Sequence, residues 1–220
     1  MEIPNLFVLK NSNRPDRESK LLEIRNDPYS DPSEDFYSYG FDYFDNSKVF
    51  SGYRSYKYDG SLKKPINSII NDFNLNNSHK IADYGCAKGY LLYEFMLKGF
   101  DIIGFDKSAY AIKNAHSSVK DSIILCENPN VISKYDFSFL ICRNVLPHLK
   151  KDDIMNLIEL AIKHTFIRPY FVVHTYNSNE YRKDYELWDR THLTIMNADE
   201  WRSFLKPFQN KILFSLDCLF

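Results

Sequence analysis

Eleven residues, Lys80-Ile-Ala-Asp-Tyr-Gly-Cys-Ala-Lys-Gly-Tyr90, leave this chain few architectures to choose from. They read as a short buried strand, Ile81 to Tyr84, broken at Gly85 by a turn of small residues. An amphipathic helix starts near Lys88, with Leu91, Leu92, Phe95 and Met96 on one face. A strand, a tight turn and a helix N-terminus together aim backbone N–H groups and a positive dipole end at an anionic or polar ligand. Gly85, Ala87 and Gly89 are expected to keep side chains out of that ligand's path. The spacing is not the dinucleotide fingerprint G-x-G-x-x-G, because position 90 is Tyr. A nicotinamide-dependent reductase is thereby disfavoured.

Beyond Lys80 the pattern alternates. Strands are expected at 80–84, 101–105, 122–126, 135–141 and 170–176, with a last one in 211–219. Helices are expected at 88–98, 108–116, 151–164 and 198–205, the last opened by a capping box of Asn197 and Glu200. Near-continuous apolar strands such as Asp101-Ile-Ile-Gly-Phe105 suit a parallel sheet covered on both faces. The expected fold is α/β, a doubly wound and mostly parallel sheet with an N-terminal extension. Residues 1–60 form that extension and 61–220 the ligand-binding domain. One helix fits 16–25, and Pro65 begins another that runs to Phe73. Between them Phe36 to Gly60 is dense in Tyr, Phe and Gly without period, so it reads as loop with short elements.

Charge and cysteines narrow the function. A net charge of −1 gives no electrostatic footprint for nucleic acid or an anionic membrane. No apolar run approaches the roughly 20 residues of a membrane-spanning helix, and no signal peptide is evident at the start. The four cysteines lack C-x-x-C spacing and read as buried thiols of a reducing, cytoplasmic compartment.

Asp106 ends the second strand 21 residues after Gly85, where a carboxylate can accept from both ribose hydroxyls of a nucleoside. The bland alternative is that it caps the helix beginning near Ser108. With Asp83 two residues before the first glycine, the D-x-G-x-A-x-G arrangement resembles motif I of class I S-adenosylmethionine (SAM)-dependent methyltransferases. The resemblance runs from about residue 50 to the end. It implies SAM as cofactor, held by Asp83, Gly85, Cys86, Ala87, Gly89 and Asp106, with Glu127 and Asn128 near the adenine. Ile141-Cys-Arg-Asn-Val-Leu-Pro-His-Leu149 is similar to the family's segment beside the sulfonium, with Pro147 where an acid is usual. Arg143 and Tyr56 are expected as weaker contacts. The tetrad of base-amino methyltransferases is absent, and no Asp/Asn cluster for a catalytic metal is visible, so no metal is expected.

Trp188-Asp-Arg-Thr-His192 resembles the "D-x-T-H" stretch that many small-molecule methyltransferases place beside the acceptor. The resemblance implies methyl transfer to a small molecule at oxygen, of sugar or secondary-metabolite type, with His192 or His148 taking the proton. His192 is preferred, since its stretch lies on the acceptor side. Gly52-Tyr-Arg-Ser-Tyr-Lys-Tyr-Asp-Gly60 looks like a tyrosine-rich signature that precedes this domain in one bacterial subgroup, departing from it at Ser61-Leu62. It reads either as a lid with Tyr56 and Tyr58 over the site or as a structural strap. A single strand after position 210, in place of the family's terminal pair, leaves room for a homodimer. A non-catalytic SAM-binding protein is the alternative reading.

Overall fold

The computed structural model describes residues 1–7, 17–26 and 32–219. Six strands form one wholly parallel sheet: β1 (Lys80–Tyr84), β2 (Asp101–Asp106), β3 (Ile123–Leu125), β4 (Phe139–Arg143), β5 (Tyr170–Thr175) and β6 (Leu213–Cys218). Their order is β3-β2-β1-β4-β5-β6, so the chain steps outward from β1 on one side, then crosses back to β4 and proceeds the other way. The crevice between the carboxyl ends of β1 and β4 is therefore the switch point at which such sheets bind ligands.

Helices cover both faces, because strands this apolar must be buried on both. On one face α4 (Lys63–Asp72) and α5 (Tyr90–Leu97) bring Ile66, Ile69, Leu92 and Phe95 onto Ile81, Phe139, Ile141 and Tyr170. On the other, α7 (Lys151–His164) and α9 (Ala198–Leu205) place Ile154, Leu157, Ile158, Trp201 and Leu205 on Ala82, Tyr84, Leu140 and Phe171. The capping box of α9 forms as the sequence implies, Asn197 and Glu200 each bonding the other's backbone. The shorter helices are α1 (Arg17–Asn26), α2 (Glu34–Tyr37), α3 (Phe41–Phe44), α6 (Ala109–Lys113) and α8 (Arg182–Trp188). Arg25 of α1 is ion-paired with Asp184 of α8. Asp16, where the first helix was expected to start, lies outside the described residues.

Two expectations change. The fourth strand runs 139–143 rather than 135–141: Tyr135 ends a 3₁₀ turn (Pro129–Lys134), and Phe137 is buried from the connecting coil. Its polar end, Arg143, belongs to the strand. The chain start is also part of the sheet edge. Ile3 N–H donates to the Phe214 carbonyl at 2.8 Å, Glu2 forms a parallel bridge to Phe214, and buried Phe7 stacks on Tyr170. Residues 1–3 thus lie beside β6 at the sheet edge. Among the described residues no helix is long and apolar enough to cross a membrane.

Candidate functional site

At the switch point lies a cavity of about 200 Å³. Its floor is the turn after β1. Gly85, Ala87 and Gly89 adopt φ of +78°, +49° and +73°, a region open to glycine and costly for alanine. A Cβ on Gly85 would fall 2.1 Å from Val145 Cγ2, and one on Gly89 would fall 2.8 Å from Val119 Cγ2. The missing side chains therefore first make room for the protein's own loop after β4 and for the approach to β3. Gly85 and Ala87 line the cavity; Gly89 and Cys86 do not. Cys86 is buried against β2, and burial pushes its thiol well above the ordinary range.

Asp106 ties this floor together. Its Oδ2 accepts the Ala87 N–H at 2.6 Å and its Oδ1 the Ser108 N–H at 2.8 Å. Ser108 itself caps α6, accepting the Ala111 N–H at 2.9 Å. Asp106 is thus not the helix cap. It lines the cavity, and an ionised carboxylate offers about four lone-pair sites, two more than are used here. Burial raises its pKa, and the backbone donors together with the charge of Lys107 oppose the rise.

Asp83 sits beneath the floor rather than in the cavity lining. Burial, reinforced by the charge of Asp106 and opposed by Arg143, pushes its carboxyl up to about 7. Glu127 lines the cavity, whereas Asn128 is exposed and caps the 3₁₀ turn through the Asn130 N–H at 3.1 Å. Asn128 is thus the cap of that turn and does not line the cavity.

At the end of β4, Arg143 lines the cavity with its guanidinium 4.7 Å from the Phe7 ring. Its buried Nε has no hydrogen-bond partner. The next residue, Asn144, takes φ of +59°, lines the cavity, and holds Nδ2 2.7 Å from His174 Nε2. Its Oδ1 is buried and also unpartnered. His174, at the carboxyl end of β5, lies 3.2 Å from Asp217 of β6.

The tyrosine-rich segment forms the roof, but through other residues than expected. Tyr39, Tyr43, Phe44 and Tyr53 line the cavity. Tyr56 does not; its ring packs on Phe44, Tyr53 and Tyr90, and its carbonyl accepts Lys88 Nζ at 2.9 Å. Tyr58 lies on the outer face of α5, against Tyr93 and bonded to Glu94. Lys88, from the floor turn, also reaches both oxygens of Asp45, at 2.6 and 2.8 Å. With Lys88 buried and Asp45 half-buried, this ion pair staples the roof to the floor. Nothing in the sequence patterning singles out Lys88.

The far wall contains His148, whose Nδ1 is 2.7 Å from Thr191 Oγ1. Thr191 Oγ1 in turn lies 2.7 Å from Asp189 Oδ1, and the Tyr43 hydroxyl donates to Asp189 Oδ2 at 2.7 Å. His192 does not line the cavity. It is buried behind His148, ring centroids 4.8 Å apart, and stacks on Tyr185 at 4.6 Å; both its ring nitrogens lack partners. Burial, opposed by Asp189, lowers the His192 pKa to about 3 and lowers that of His148 as well. Donor atoms of His148, Asp189 and His192 lie within 4.8 Å of one another, a grouping with metal-ligand chemistry that the sequence did not disclose.

A methyltransferase-domain family model matches residues 55–212, well over half of the chain. Among solved structures, a SAM-dependent methyltransferase of Archaeoglobus fulgidus superposes with a TM-score of 0.51 at 15% identity, covering 66% of this chain and 67% of that one. The YcgJ protein of Bacillus subtilis gives 0.53 at 16% identity, with the same coverage of each chain. No curated protein sequence matches the chain.

Proposed function

The chain belongs to the methyltransferase-domain family, and on that premise we propose that it transfers a methyl group from SAM to a hydroxyl of a small molecule. The observation that carries the cofactor reading is Asp106: a buried carboxylate at the carboxyl end of β2, lining the cavity and already bonded to the glycine turn. Its spare acceptor sites suit the ribose diol. The unpartnered Arg143 Nε and Asn144 Oδ1, on consecutive residues, offer a donor and an acceptor suited to the carboxylate and ammonium of the methionine end. Glu127 is the acid on the adenine side. When bound, SAM supplies a methyl group already activated on a sulfonium.

The protein's share of the work is to align the acceptor and take up its proton. His148 is the imidazole in the cavity wall, and burial lowers its pKa, so it is neutral and able to accept a proton near pH 7. His192, packed behind it, supports His148 rather than touching the acceptor. A base in the wall suits a hydroxyl acceptor, which must lose its proton as the methyl group arrives. The modest cavity favours a small molecule.

Calorimetry with S-adenosylhomocysteine tests the cofactor reading. Asp106→Ala should weaken binding by roughly 1.5–3 kcal/mol, the worth of a hydrogen bond to a charged group. Asp106→Asn, which retains an acceptor for the Ala87 N–H, separates ribose contact from a loosened turn. Equal affinity of all three proteins would overturn the assignment.

A further inference from the structure

We propose that Asp189 and Thr191 are positioning residues that lock His148 with its proton on Nδ1 and a bare Nε2, and that Tyr43 of the roof completes the chain. The inference rests on the reading of His148 as the base. Its foundation is a count of protons. Asp189 is a carboxylate with three donors on it: the Tyr43 hydroxyl at 2.7 Å, the Thr191 hydroxyl at 2.7 Å and the Thr191 N–H at 3.0 Å. Burial pushes this carboxyl up, whereas His148 and His192, when protonated, and the bonds from Thr191 and Tyr43 bring it to about 2; at neutral pH, with both rings neutral, the three donors hold it ionised. Asp189 is therefore ionised and can only accept. The single hydroxyl proton of Thr191 is committed to it.

At 2.7 Å from His148 Nδ1, the Thr191 oxygen can then only accept, so Nδ1 must carry a proton. The Tyr39 hydroxyl, 3.4 Å from the same nitrogen, is too distant to compete. A neutral ring protonated at Nδ1 has its lone pair on Nε2, the atom left for an acceptor's proton. His192 stands outside this chain, as its two unpartnered nitrogens show. A metal shared by His148, Asp189 and His192 would compete for atoms already bonded. Tyr43 adds a consequence: it also lines the cavity, so the roof reports on the base through Asp189.

The test is two-bond ¹H–¹⁵N correlation of the histidine rings in the full chain without ligand, with the His148 signals identified by their loss in His148→Ala. The wild type should show Nδ1 as the protonated, pyrrole-type nitrogen and Nε2 as pyridine-type. Thr191→Val should erode that preference about tenfold, the worth of one hydrogen bond. Thr191→Ser should restore it, and Tyr43→Phe should weaken it less than Thr191→Val. A wild-type ring protonated at Nε2, or a Thr191→Val ring unchanged from wild type, would overturn the relay. So would stoichiometric Zn²⁺ uptake that disappears in His192→Ala. S-adenosylhomocysteine calorimetry on the same samples judges the cofactor reading separately, so loss of one assignment is not mistaken for loss of the other.

Discussion

Two carboxyls buried at the same edge of the sheet, Asp83 under the cavity floor and Asp189 behind its far wall, are driven in opposite directions. Burial raises both. Asp83 makes no hydrogen bond among the described residues, has the charge of Asp106 for company, and ends near 7. Asp189 has three donors and two imidazoles around it and ends near 2. Neighbouring charges and donors, rather than depth, decide whether a buried acid is charged. The same contrast divides the cavity. Its cofactor half keeps unmet capacity in Arg143 Nε and Asn144 Oδ1, as a surface completed by a ligand would. Its acceptor half is closed within the protein from Tyr43 to His148, as expected of a base held ready before substrate arrives.

The sharpest way to break this comparison is at the two histidines. With a hydroxyl acceptor, His148→Ala should lower turnover by roughly 10²–10⁴-fold, the usual contribution of a general base. Affinity for S-adenosylhomocysteine should barely change, because that half of the cavity is untouched. His192→Ala should cost turnover far less, since His192 acts only through its packing on His148. Steady-state rates in which His192→Ala is the more damaging change would reverse the assignment.

Stability should separate the acids next. Asp189→Ala strands the Tyr43 hydroxyl and both Thr191 donors in a buried site, and leaving a buried donor without its acceptor costs about 1–3 kcal/mol. Asp83→Asn at pH 8 removes a poorly solvated charge and strands nothing, so it should be neutral or stabilising. Urea midpoints compared at constant m-value decide the matter. Equal losses for the two variants would mean that Asp83 has a partner not evident in its surroundings.

The cofactor half was the more legible in sequence, and the reason is physical. The strand, glycine turn and Asp106 are local features: φ > 0 requires Gly or a small residue, and a strand's apolar run shows in adjacent letters. Even there the letters do not show that Gly85 and Gly89 also accommodate Val145 and Val119, residues distant in sequence. The acceptor half depends on contacts that no period announces. Asp189 and Thr191 stood in the motif that drew attention to His192, yet only the fold shows that His148 holds the wall and His192 lies behind it. Tyr43 was one aromatic among many. Nor do the letters separate the roof residues Tyr39 and Tyr53 from Tyr56 and Tyr58, which belong to the packing around α5. The fourth strand slipped because Phe137 and Phe139 mimic the strand's period while the chain is still coil at Phe137.

The smallest effect is in the pH dependence of stability, and it sharpens the comparison most cleanly. His192 titrates near 6.5 in the unfolded chain and near 3 when folded. Between those values the unfolded state holds a proton that the native state lacks, so stability rises with pH. The lowered His148 acts in the same sense. Asp83 does the opposite: its carboxyl titrates near 3.8 unfolded and near 7 folded, so over that interval the native state holds the extra proton and stability falls as pH rises. Asp106, also raised, adds to the fall. From pH 4.5 to 6.5 the two sides of the cavity therefore oppose each other, and the wild-type curve should be nearly flat. Asp83→Asn removes one falling contribution and should tilt the curve upward by as much as about 1.4 kcal/mol per pH unit. Asp189 titrates below this window, from 3.8 down to about 2 on folding, so Asp189→Asn should displace the curve without tilting it from that source. Urea midpoints at intervals across the window measure the slope. Parallel curves for wild type and Asp83→Asn would show that Asp83 is ionised in the native protein and that the two acids do not differ as described.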